Sequence, residues 1–171
     1  MANAQHHELG LLPKLVLALG AFLLVLGAIR YDITAETMQR MWSDFTSRPG
    51  GPMTFRFILQ PAMATLAALF DGIQDARTGR SPYFWTVLHS RDERTDRLRE
   101  GLTSTARIVL LGLAMDAIYQ WRVLNEFYPV EALLIAVLLA FIPYLLLRGP
   151  IARIARWWMN RKGHAPTTGG R

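Results

Sequence analysis

The stretch "FRFILQPAMATLAALFDGIQD" runs from Phe55 to Asp75. Its middle is apolar, yet Arg56 and Gln60 stand near one end and Asp71 and Asp75 near the other. Sixteen aqueous residues would not be written this way. A helix from Arg56 to Asp71 rises about 22 Å at 1.5 Å per residue, and a bilayer's hydrocarbon core is about 30 Å thick. The polar residues then sit near opposite interfaces with the apolar ones between them. Pro61 is tolerated in such a helix, and Ala62, Ala64, Ala67 and Ala68 allow a second helix to approach closely. A re-entrant hairpin is the competing reading of this stretch.

Working outward, the same pattern recurs. The chain has 171 residues, 51% hydrophobic and only 19% charged, and the apolar residues come in blocks separated by arginines. The spacing predicts an all-α membrane protein with four transmembrane helices in an antiparallel bundle, over about 9–29, 52–75, 103–122 and 127–147. The first block, "KLVLALGAFLLVLGAIR", reaches spanning length if Lys14 snorkels. A signal peptide is its rival, but Lys14 comes late and no clear small-x-small site follows. Met38, Met41, Trp42 and Phe45 recur at helical spacing in 34–46. They form either a surface amphipathic helix or a loop helix packed on the bundle. "SRPGGP", Ser47 to Pro52, ends it. A second interfacial helix is expected over 151–161, after the Gly149–Pro150 break. One integral domain, 1–162, and a disordered tail, 163–171, complete the organisation. Trp42, Trp85, Trp157 and Trp158 are the expected interfacial anchors.

The net charge of +6 does not call for nucleic acid here, because the bases flank apolar blocks. With four spans, Lys14, the seven arginines from Arg77 to Arg107 and the six bases from Arg148 onward share one side. Arg30, Arg40, Arg48, Arg56 and Arg122 share the other. The positive-inside rule then predicts a bacterial-type inner membrane with both termini cytoplasmic. There are no cysteines, so thiolate chemistry is excluded. The four histidines are scattered, and no P-loop, dinucleotide fingerprint, zinc-protease helix or serine elbow is present.

The alternation also places an embedded polar cluster at the outer level: Arg56, Gln60, Asp116, Tyr119, Gln120 and Glu131. Arg56 and Gln60 are four apart, as are Asp116 and Gln120, so each pair shares a helical face. A buried charge at mid-block costs up to about 3 kcal/mol on insertion scales, so Asp116 needs a partner. Arg56 is the preferred one and Glu131 a third member. The cluster reads as a brace fixing helix order or as a site for protons, ions or a polar substrate. The lack of transport motifs weighs toward the brace. At the cytoplasmic level Asp71 and Asp75 face Arg77, Arg80 and Arg107. Arg91–Glu100 reads as a solvated segment with local charge pairing.

"DGIQDAR", Asp71 to Arg77, resembles the start of the CDP-alcohol phosphotransferase signature, and Asp92 and Asp96 have the spacing of its second aspartate pair. The resemblance implies Asp71, Asp75, Asp92 and Asp96 as metal ligands of a lipid-modifying enzyme. The sequence departs from that signature by one extra residue before Ala76 and by Leu88 where a glycine belongs. The leading functional expectation is an accessory or assembly subunit that packs against other membrane proteins or itself, amid membrane lipids and without a cofactor. A small proton-coupled or ion-conducting transporter using Asp116 and a metal-dependent lipid-modifying enzyme are the alternatives.

Overall fold

The structure, a computed structural model, describes residues 10–31, 34–47, 50, 54–80, 83–89 and 91–163. Six α-helices occur among the described residues: α1 (Leu11–Arg30), α2 (Ala35–Ser47), α3 (Arg56–Arg77), α4 (Tyr83–His89), α5 (Arg91–Tyr119) and α6 (Pro129–Gly163). Of these, α1, α3, α5 and α6 are long and apolar enough to cross a membrane. A π-helical turn, Gln120–Leu124, prolongs α5. Asn125 then closes the connection to α6 in the left-handed region, with φ 54°. Asparagine tolerates that region better than most side chains.

The helices meet along stripes of small residues. The buried positions of α3 are Arg56, Gln60, Ala64, Ala68, Gly72, Asp75 and Ala76. On α6 the residues Ala132, Ala136, Ala140, Tyr144, Arg148 and Ala152 are all buried. Both stripes repeat every four residues, which is one ridge of a helix surface. Alanine and glycine along it let the backbones close in. A Cβ on Gly72 would lie 2.8 Å from Ile151 Cγ2 and 3.0 Å from the Arg148 carbonyl oxygen. Helix α5 packs on both, and α1 lies against α5 and α6. A Cβ on Gly27 would meet Val130 at 2.2 Å, so α1 can approach α6 there only through glycine. The opposite faces stay apolar and exposed, as at Phe22, Ile29, Ile58 and Phe70, which suits contact with lipid.

Two expected boundaries are corrected. The spans expected at 103–122 and 127–147 are parts of longer helices. The charged Arg91–Glu100 segment runs unbroken into the apolar block as α5, because Gly101 between them is packed rather than free. The separate helix expected at 151–161 does not exist. It is the end of α6, which passes through Pro143 and Pro150. An interior proline costs about 3 kcal/mol or more. The tight seat of Ile151 against Gly72 and the buried Ala152 hold the helix across the gap. Helix α2 buries no residue. The expected tail 163–171, apart from Gly163, and most of Ser47–Pro52 lie outside the described residues.

Candidate functional site

Buried charge gathers at two levels. At the first, the start of α3 meets the end of α5. Arg56 Nη2 donates to Asp116 Oδ1 at 2.5 Å, and both side chains are buried. Gln120, one turn on from Asp116, donates Nε2 to Asp116 Oδ2 at 2.6 Å. The π turn leaves the same amide facing the start of α6. Its Oε1 accepts the Tyr128 backbone N–H at 2.6 Å, and Nε2 lies 3.3 Å from the Tyr128 carbonyl oxygen. Such local π geometry often marks functional positions. The Arg56 guanidinium is 6.0 Å from the Tyr119 ring centroid. Gln60 is fully buried beside Gly112, where a Cβ would sit 2.0 Å from its Nε2. Nε and Nη1 of Arg56 and both amide atoms of Gln60 have no hydrogen-bond partner among the described residues.

Glu131, also buried, takes Arg40 of α2 at 3.7 Å. Arg40 in turn bonds Asp44 at 2.9 Å and lies 3.7 Å over the Tyr128 ring. So α2 reaches Glu131 and Tyr128 through the half-buried Arg40, with Met41 and Phe45 half-buried and Met38 and Trp42 exposed. A cavity of about 340 Å³ lies beneath it, among α1, α2 and the start of α6. The Tyr128 hydroxyl donates to Glu126. That bond and partial burial push the phenol up to about 12.

The second level joins the end of α3, the first half of α5 and the latter part of α6. Arg148 forks onto Asp75, with Nε to Oδ2 at 2.7 Å and Nη2 to Oδ1 at 2.9 Å. Its Nη2 also reaches Glu100 at 2.8 Å, and Nη1 donates to the Tyr144 hydroxyl at 2.6 Å. The Tyr144 hydroxyl in turn donates a hydrogen bond to Asp71 Oδ2 at 2.6 Å, where Ser104 also donates at 2.6 Å. Arg97 adds contacts of 3.4 Å to Asp75 and 3.4 Å to Glu100, and Arg80 reaches Glu100 at 3.3 Å. Paired forks of this kind are the strongest of the common charge-assisted bonds. Tyr83 covers the fork, its ring 4.4 Å from the Arg148 guanidinium and its hydroxyl donating to the Arg97 carbonyl at 2.7 Å. Burial pushes the Tyr83 phenol up to about 12. Gly101 makes room for it, since a Cβ there would lie 2.2 Å from the hydroxyl.

The expected partners of Asp71 and Asp75 are therefore corrected. Arg80 serves Glu100, Arg107 is exposed, and the principal partner is Arg148. Arg148 reads in the sequence as a base flanking a span, yet it is 1% exposed. Arg97, expected in a solvated segment, is buried as well. Glu100, Ser104, Tyr144 and Tyr83 also escape a reading by composition. Their signal is spacing: Tyr144 and Arg148 are four apart, as are Asp71 and Asp75. Among the described side chains, Asp71, Asp75 and Asp96 do not gather as the enzyme resemblance implies. Asp75 has both oxygens on Arg148, Asp96 is exposed on α5, and the Asp92 side chain falls outside the described residues. Among the described residues no three His, Cys, Asp or Glu side chains gather for a metal. All four tryptophans named as anchors are exposed; Trp42 stacks on Phe45, and Trp85 on His89.

No protein-family model matches the chain, and no curated protein or solved structure matches it either. The molecule is a helical, largely hydrophobic protein with an extensive buried network of arginines and carboxylates.

Proposed function

We propose that this protein moves protons or small ions across a membrane, with Asp116 as the group that exchanges charge at one level. The hydrogen-bonded chain from Tyr144 to Asp71, set beside the permanently charged Arg148–Asp75 fork, would take the proton at the other, with Asp71 as the group that exchanges it. The observation that carries this reading is the fully buried Arg56–Asp116–Gln120 triad inside helices of spanning length. Ionisable groups so placed are costly, and their usual uses are proton relays and ion paths. Beside the triad, Arg56 and Gln60 bring buried donors and an acceptor that a water molecule can satisfy. Protonation of Asp116 at Oδ1 would cancel its half of the ion pair and release Arg56 Nη2 toward that water. The second chain has an entry point, because Asp71 and Glu100 are both partly exposed. The distribution of arginines supports a bacterial-type inner membrane with both termini cytoplasmic and the Asp116 level outside.

A second reading, an assembly subunit packing against other membrane proteins or itself, draws on the second level. There every donor nitrogen of Arg148 has a partner, as befits a brace. The two readings separate on Asp116→Asn. Purified protein is reconstituted in liposomes carrying a pH-sensitive dye, and the decay of an imposed pH gradient is followed. Wild type should dissipate the gradient, and the variant should keep its helical signal and lose the flux. Equal flux in both proteins, or none from wild type, would sink the transport reading. A variant recovered only as aggregate would favour the brace.

A further inference from the structure

Past Arg148, α6 continues from Gly149 to Gly163, about 22 Å of helix. This extension carries Arg153, Arg156, Arg161 and Lys162 and no carboxylate. Its guanidiniums contrast with Arg148, which is closed in by acids. Arg156 turns Nε back to the Ala152 carbonyl at 3.3 Å. Its Nη2 is shielded from solvent and has no acceptor among the described residues. Arg153 is exposed. Three and four residues apart, Gly149, Arg153 and Arg156 share a helical face. Gly149 abuts Phe84 of α4, with 4.0 Å between its Cβ position and the Phe84 Cβ. Trp85 on α4 and Trp157 and Trp158 on α6 are 59%, 53% and 58% exposed at this same end.

A basic helix end without carboxylates and solvent-exposed indoles, here with Arg161 stacked on Trp157 at 3.9 Å, occur together where a helix passes through an anionic headgroup layer. A soluble phosphate would use the arginines and have no need of the indoles. A partner protein would have to bring both acids and an apolar surface. We propose that Arg153 and Arg156 clamp the phosphate of an anionic phospholipid, with Trp85, Trp157 and Trp158 seated at headgroup depth. Residues three apart on a helix have Cβ atoms about 5–6 Å apart. One phosphodiester bridges that gap with charge-assisted hydrogen bonds from both guanidiniums. Arg156 Nη2 would thereby gain its acceptor.

The test titrates phosphatidylglycerol and phosphatidylcholine into the detergent-purified full chain and reads retained lipid by native mass spectrometry. Wild type should retain the anionic lipid in preference. R153Q/R156Q should weaken that preference about thirtyfold, the weight of two basic residues at an anionic surface. R94Q/R99Q, which removes two exposed arginines of α5, should leave it intact. If the double variant misfolds, R153Q and R156Q are measured singly, each with about a fivefold loss expected. Equal retention of the two lipids by wild type would overturn the assignment, as would a preference that survives both substitutions. Displacement of the lipid by millimolar inorganic phosphate would show a phosphate site and not a lipid site. A stoichiometric protein released by R153Q/R156Q, with no lipid preference, would show a docking surface instead.

Discussion

Replacing Arg148 with methionine should be among the most damaging single changes in this chain. Methionine keeps much of the stem volume, so the loss is electrostatic. Asp75, 2% exposed, would lose two bonds of 2.7 and 2.9 Å and retain only the 3.4 Å contact to Arg97 among its ion pairs given above. Glu100 would lose its 2.8 Å bond but keep Arg80 and Arg97, and it is partly solvated. Removing one partner of a buried pair costs about 3–5 kcal/mol, because the other charge remains in low dielectric. Arg97 moderates this, so about 3 kcal/mol is expected. Adding Asp75→Asn should recover about 2 kcal/mol, since removing both charges of a buried pair is often close to neutral. The assay is reversible unfolding in mixed micelles by SDS titration, followed by far-UV circular dichroism and tryptophan fluorescence. A loss below about 1 kcal/mol for R148M would refute the reasoning. So would a double variant no more stable than the single one.

Gly72→Ala should destabilise by about 1–3 kcal/mol, because its Cβ would press on the Arg148 carbonyl and Ile151. Gly50→Ala, with nothing within 4 Å, should change stability by under about 0.5 kcal/mol in the same titration. The Tyr83 phenol sets an alkaline limit. An unfolded tyrosine loses its proton near 10, whereas the folded chain holds it to about 12. Unfolding therefore releases a proton in that window, and stability should fall as pH rises from 10 to 12. Tyr128, held to about 12 as well, adds to the same slope, so Tyr83→Phe should remove about half of it and lose about 1 kcal/mol at neutral pH, the hydrogen bond to the Arg97 carbonyl. An unchanged slope in Y83F would assign the alkaline limit to another group.

The four apolar helices are legible in the sequence because block length and the bases between blocks are properties of composition. The Arg56–Asp116 pair is legible for a different reason. Each residue interrupts an apolar block, and alternating spans put both at one level. Arg148 is harder, because a base following "PYLLL" looks like any base that ends a span and snorkels into water. Only its register with Tyr144, matched to the register of Asp71 and Asp75, distinguishes it. The continuity of α6 is not local information at all. Gly149–Pro150 carries a real breaking tendency, and what overrides it is the absence of a side chain at Gly72, in another helix. The alanine ridge of α6 was present in plain four-residue spacing, but burial on one face of an otherwise apolar helix leaves no polar contrast to mark it.

The two charged levels are separated by nearly the same distance on each helix. Arg56 to Asp75 on α3 and Arg97 to Asp116 on α5 are each about 28 Å of rise, and Glu131 to Arg148 on α6 is about 26 Å. A hydrocarbon core is about 30 Å, so both levels can lie near its edges, where charge is least costly. Between them α3 offers Ala64 and Ala68 and α6 offers Ala136 and Ala140, all fully or almost fully buried. From Gln60 to Asp71, α3 has no ionisable side chain over about 16 Å. A proton passing from Asp116 to Asp71 has to cross that seam on water, or on a sliding of one alanine ridge along the other. Ridges of small residues permit such a slide more readily than interlocked leucines, because little side-chain volume has to be displaced. Flux that disappears in Asp116→Asn while the fold persists therefore means that the seam opens. A seam that stays dry makes the two levels a pair of braces, one at each edge of the membrane.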